Sequence, residues 1–115
     1  MLTGNGCYSV TIMDADPVFD ALGDATRRRI LEVLRAGALP VGALSDALPV
    51  GRPAVSKHLR VLEGAGLVTH RSVGTRNLYA VAPEGLALAQ RWLVDQWDDV
   101  LGAFAAHVEK ERPSS

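Results

Sequence analysis

The spacing of apolar residues changes period twice along this chain, and those changes divide it into elements. After a mixed opening stretch of Gly, Asn, Ser and Thr, a short helix is predicted over residues 17–22, with Asp16 as its cap, Pro17 in its first turn and Gly23 as its break. Asp24 suits the N-cap of a second helix, in which Ile30, Leu31 and Leu34 form the apolar stripe and Gly37 fits a left-handed C′ position. Val41, Leu44 and Leu48 mark a third helix over residues 41–48, although Pro40 is a poor cap for it. Pro49, Val50 and Gly51 make a tight connection to a fourth helix, residues 52 to 63 or 64, buried along Val55, Leu59 and Leu62 and stopped by Gly66. The period then shortens to two. Residues 67–72 and 76–81 read as strands of a hairpin around Val73, Gly74 and Thr75. From Pro83 the helical period returns, with Leu86, Gln90, Leu93, Trp97, Val100 and Phe104 alternately four and three apart. That pattern predicts a helix of about 28 residues, on the order of 42 Å long.

Two short helices joined by a few turn residues form a helix-turn-helix, and a hairpin directly after them makes it the winged variant. The expected fold class is mainly α with a small β-hairpin wing. The last helix is too long for so small a domain to cover, and both tryptophans lie on it. With 115 residues, 48% of them hydrophobic, the chain fits one domain over residues 16–110, between a flexible arm (1–15) and a frayed tail (111–115). Domains of this size often supplement a limited core by oligomerising. No apolar run approaches the roughly 20 residues that span a bilayer, and residues 1–16 lack the basic start and apolar centre of a secretory signal. A cytoplasmic location without membrane contact is expected. Cys7 is alone, which excludes a disulfide within the chain.

Net charge is −1, which by itself argues against nucleic acid, but its distribution changes the picture. Residues 1–23 hold three acids and no base, and residues 83–115 hold six acids against three bases. Between them, residues 24–82 carry nine bases against four acids, a net of +5. A basic middle with acidic flanks is the footprint of a DNA-facing surface, or, more blandly, of a solvated face.

The run Asp20, Ala21, Leu22, Gly23, Asp24, Ala25, Thr26, Arg27, Arg28, Arg29, Ile30 and Leu31 is followed by Pro53 through Leu62, and then by Gly66, Leu67 and Val68. These ordered motifs resemble the ArsR/SmtB family of winged-helix repressors over residues 16–110, and within it the metal-free autorepressors with a long C-terminal helix. The resemblance implies a homodimer joined through the first and last helices, a fourth helix set in the major groove, and repression by covering operator DNA, expected to be palindromic.

The residue chemistry agrees with that groove placement. At 100° per residue, Arg52, Ser56, Lys57 and Arg60 share an arc opposite Val55, Leu59 and Leu62. Ser56 and Lys57 suit base edges, and Arg52 suits a phosphate or a base. His58 falls on the flank, where packing and DNA contact are both open. Arg71 and Arg76 flank the hairpin tip as candidate backbone or minor-groove contacts, with solvated strand ends as the alternative; Thr75 and Asn77 are weaker candidates. The dimer seam is assigned to Leu86, Leu93, Trp97, Val100 and Phe104. Trp92 and Trp97 either line an effector pocket there or are plain core. Arg27, Arg28 and Arg29 crowd a helix start, where positive charge opposes the helix dipole and implies an anionic partner, at least one being structural.

Relatives sense metals through thiolates on the third helix or Asp and His ligands on the last. Here the third helix has no Cys, and Asp98, Asp99 and His107 lack the companion ligands, so no metal and no cofactor is expected. No nucleophile elbow, phosphate-cradling loop or metal-hydrolase motif points to catalysis. The alternatives carried forward are a winged protein-interaction module and a metal-responsive repressor with an atypical site.

Overall fold

A computed structural model describes residues 15–111. Apart from Ala15, the expected N-terminal arm, Cys7 included, lies outside the described residues, as does the tail beyond Glu111. Five helices and one hairpin follow in chain order: α1 (Asp16–Leu22), α2 (Ala25–Leu34), α3 (Val41–Ala47), α4 (Arg52–Gly64), β1 (Val68–Val73), β2 (Arg76–Val81) and α5 (Pro83–Glu111). The predicted order of elements is the observed one.

Five boundaries differ, one of them the end of β1, at Val73 instead of Ser72. Buried Ala15, not Asp16, caps α1: its carbonyl accepts from Phe19 N–H at 3.0 Å, and Asp16 enters the first turn, where an acid favours the dipole. The third helix stops one residue short, at Ala47, and Leu48 is its extended C-cap. Helix α2 ends through tight bonds, Ala36 and Gly37 N–H to the carbonyls three residues back; Gly37 takes the expected positive φ (+148°), but two residues beyond the C-cap Arg35 instead of at C′. Strand β1 begins one residue later than expected because Leu67 closes α4 instead. Leu67 N–H bonds the Leu62 carbonyl at 2.9 Å and Gly66 N–H bonds that of Glu63 at 3.0 Å, with Gly66 at φ +76°. This is a Schellman closure, sealed by the fully buried pair Leu62 and Leu67.

The core lies where α1, α2, α3 and α4 meet the base of the hairpin and the start of α5. Val18, Ala21, Ile30, Leu31, Leu34, Leu44, Val55, Leu59, Leu62, Leu67, Val68 and Ala89 form one cluster. Among the described residues no polar or charged side chain is buried. Val68 is the only buried residue of β1, while on β2 Leu78 to Val81 are half-buried with Tyr79 and Val81 against the core, so it is the tip of the hairpin that projects. Val73 pairs with Arg76, leaving the two-residue turn Gly74 and Thr75; positive φ (+63°) at Gly74 alone fits a type II′ turn. Leu39 adds a one-residue bridge to Tyr79, with bonds of 2.9 and 2.8 Å, which ties the segment before α3 to the wing.

Helix α5 leaves the body after its first turns. Its start is pinned where Gly85 N–H donates to the Gly66 carbonyl at 2.8 Å and Ala82 N–H to that of Leu67 at 2.9 Å. From Gln90 onward every described side chain of α5 is exposed, Trp97 at 62% and Phe104 at 64%.

Candidate nucleic-acid interface

Helix α4 owes its orientation to one stripe: Val55, Leu59 and Leu62 are at most 1% exposed and face the core. The opposite surface is set by the same geometry. Arg52, Lys57 and Arg60 are exposed, while Ser56 and His58 are half-buried on its two flanks. The connection before α4 is fixed by Ser45, whose hydroxyl donates to the Val50 carbonyl at 3.0 Å.

The hairpin supplies the other side. Arg71 pairs with Leu78 and Val73 with Arg76, so by strand alternation Arg71 and Arg76 share one face of the wing. Asn77 lies on the other face, accepting from the Ser72 hydroxyl at 3.0 Å. Arg71, Thr75 and Arg76 are all exposed. A cleft of about 480 Å³ separates α3 and the start of α4 from the wing tip; Arg52 lines one wall and Thr75 and Arg76 the other. The predicted residues therefore divide into three groups. Arg52, Thr75 and Arg76 meet at the cleft; Lys57, Arg60 and Ser56 lie further along α4; Arg71 stands back along the wing.

His58 has a partner that its sequence position did not reveal. Nη1 of Arg27 stands 3.4 Å from His58 Nδ1, and since a guanidinium can only donate, Nδ1 accepts. Arg27 also donates through Nε to the Ala21 carbonyl at 2.7 Å and through Nη2 to that of Asp20 at 3.1 Å. Arg28 donates to the Leu22 carbonyl at 2.6 Å. These carbonyls belong to the last turn of α1 and carry its negative end; that of Asp20 also accepts from the C-cap Gly23 N–H at 3.2 Å. For Arg27 and Arg28 the negative partner is thus the end of a helix, α1. Asp24 adds a weak ion pair to Arg27 at 4.0 Å.

Asp24 itself caps α2, accepting from Thr26 N–H at 2.8 Å and Arg27 N–H at 3.1 Å. Its carboxyl is held below its usual range, first by the Arg27 N–H and also by the Thr26 N–H and by nearby His58 and Arg27, against an opposing effect of burial. At the base of the wing, Glu63 and His70 pair at 2.8 Å, and His70 stacks on Tyr79 with ring centroids 5.1 Å apart.

Away from this face, α1 and α5 enclose an apolar groove of about 660 Å³ lined by Phe19, Leu22, Leu86, Leu93, Val94 and Trp97, among others. Phe19 meets Trp92 edge-on at 5.3 Å. Among the described residues, no three His, Cys, Asp or Glu side chains cluster so as to hold a metal ion, and no helix is long and apolar enough to cross a membrane.

Comparison with known proteins gives consistent results. Residues 22–71 match the family described as "Helix-turn-helix domain". The chain is 45% identical over 101 residues to the HTH-type transcriptional regulator Rv2034 of Mycobacterium tuberculosis, covering 88% of this chain and 94% of the relative. Among solved structures, an ArsR-like transcriptional regulator from Rhodococcus sp. RHA1 matches with TM-score 0.78 and 31% identity, over 90% of this chain and 98% of that one. The homodimeric winged helix-turn-helix DNA-binding domain Mb0332 of Mycobacterium bovis, described as a possible ArsR-family regulator, matches with TM-score 0.64 and 26% identity, over 99% of this chain and all of that one.

Proposed function

Since the chain belongs to the ArsR/SmtB family of winged helix-turn-helix transcriptional regulators, we propose that it represses by occupying a two-fold operator as a homodimer in the cytoplasm. Membership makes it a DNA-binding regulator and not an enzyme. The division of labour follows from side-chain reach. Helix α4 enters the major groove, with Lys57, Arg60 and Ser56 offered to base edges and His58 at the flank. Arg71, Thr75 and Arg76 meet the sugar–phosphate backbone from the wing.

One observation carries the reading: Arg52 at the start of α4 and Arg76 at the wing tip line one open cleft, within the basic part of an otherwise acidic chain. The dimer is supported by α5. By 100° per residue its exposed apolar residues, from Trp92 through Leu93, Trp97, Val100 and Phe104 to Val94 and Leu101, span roughly 200° of its surface. A seam between only two helices would need a narrower stripe, so the arc fits a bundle of α1 and α5 with the same pair from a second copy. Leu86 lies in line with it. Mb0332, a homodimer, supports the same assembly. No metal or cofactor enters the proposal.

Fluorescence anisotropy with an operator duplex and a scrambled duplex, at several salt concentrations, tests the assignment. Lys57→Ala should weaken operator binding by about 1–3 kcal/mol and hardly change scrambled binding. Arg76→Ala should weaken both alike and lower the salt slope by about one. Equal losses on both duplexes for Lys57→Ala would remove its reading role, and no effect from either would move the DNA face elsewhere.

A further inference from the structure

Arg52 occupies the space that a missing side chain leaves open. It opens α4, yet its guanidinium lies across the first turn of α3. A Cβ on Gly42 would stand 2.6 Å from Arg52 Nη2 and 3.1 Å from its Cζ, so the free end of the Arg52 side chain would have to shift away. Neither Arg52 nor Arg76 has a hydrogen bond or an ion pair among the described residues, although both line the same cleft, where Asp46 is the one acid. Two unpaired guanidiniums lining one open slot leave their donors to an external anion. With α4 in a groove, the anion that reaches the slot is a backbone phosphate.

We propose that Gly42 is a positioning residue for DNA binding: its bare Cα lets Arg52 lie flat against α3 and oppose Arg76, so that both grip one stretch of phosphodiester backbone. The proposal rests on the DNA-binding face described above. On this proposal Arg52 is a backbone contact and not a base reader.

The test uses Gly42→Ala, Arg52→Ala, their combination and Arg76→Ala on the full chain, with a fluorescein-labelled mixed-sequence duplex titrated at several salt concentrations. Alanine is the better helix former, so Gly42→Ala should melt at or above the wild-type temperature. Its DNA affinity should nevertheless fall about twofold, against about fivefold and a salt slope lower by about one for Arg52→Ala, because the guanidinium is moved and not removed. In the double variant the two losses should not add, because both act on the same contact. Wild-type affinity for Gly42→Ala beside a loss for Arg52→Ala would overturn the positioning role, as would additive losses. A lowered melting temperature for Gly42→Ala moves the test to a temperature where both single variants are folded, with the same non-additivity required. Full affinity for both Arg52→Ala and Arg76→Ala would instead remove the cleft from the DNA face, the failure of the underlying reading.

Discussion

Replacing Gly85 with alanine should destabilise the domain even though it puts a better helix former into α5. A Cβ at this position would stand 2.8 Å from the Gly66 carbonyl oxygen, and 2.9 Å from both the Ala65 oxygen and the Gly66 carbonyl carbon. All three atoms are backbone. They belong to the closure that ends α4, and the Gly66 oxygen already accepts from Gly85 N–H at 2.8 Å. No rotamer change relieves such a contact, so α5 must lift away from the α4–β1 turn. Overpacking of this kind costs about 1–3 kcal/mol, against a propensity gain of at most about 1 kcal/mol for Ala over Gly. The net expectation is a loss of about 1–2 kcal/mol, or roughly 4–15 °C in melting temperature for a domain near 100 residues. Gly102, on the same helix, provides the control. Nothing lies within 4 Å of its Cβ position, and by helical spacing it sits opposite Leu93 and Val100, so Gly102→Ala should gain up to about 1 kcal/mol. Thermal and urea unfolding at one fixed protein concentration compare the two, because a dimer's stability depends on concentration. A Gly85→Ala protein as stable as wild type, with Gly102→Ala stabilised as expected, would refute the close-approach reasoning.

Further expectations concern assembly, metal and pH. Trp97 exposes 62% of its surface in one copy; burying an aromatic of this size is worth about 2 kcal/mol per protomer, counted twice by symmetry. Trp97→Ala should therefore weaken dimerisation about a thousandfold in sedimentation equilibrium, and a wild-type chain that stays monomeric at micromolar concentration would sink the dimer. Stoichiometric zinc or nickel should leave operator affinity within a factor of a few, and a tenfold change reversed by chelator would restore the metal-responsive alternative. The lowered Asp24 carboxyl means that its ionised form contributes stability above its ordinary value of 3.8, which is lost as pH falls through the lower folded value. Asp24→Asn keeps a capping side chain but cannot titrate, so the stability difference between the two proteins should shrink as pH drops below 3.8. A difference independent of pH would show that the charge plays no part.

The long periodic features were legible in the sequence because burial imposes a period on several residues at once. The stripe Val55, Leu59 and Leu62 and the heptad-like run from Leu86 to Phe104 each repeat often enough to define a face. Features resting on single backbone groups were not. Leu39 pairs with Tyr79 through one residue, too few for any alternation to register. The partners of Arg27 and Arg28 are main-chain carbonyls of α1, which no side-chain pattern displays; the only signal was the electrostatic misfit of three arginines at a helix start. Gly42 and Arg52 are ten positions apart on different helices, and the turn between α3 and α4 alone brings them together. The cap of α1 fell to Ala15 because burial of that residue outweighed the capping chemistry of Asp16 next to it.

Arg27 bonds the last turn of α1, extends from α2 and reaches His58 on α4, so one side chain spans three helices. In the proposed dimer across α1 and α5, that contact would join the seam to α4, and the two α4 helices would act as jaws set to one opening. Such a gauge tolerates little slack in its target. One extra base pair between half-sites shifts the far half-site by about 3.4 Å along the duplex and turns it by about 34°, and a jaw braced by a bonded guanidinium cannot follow. The distance between half-sites would then be as much a part of the operator's identity as its bases.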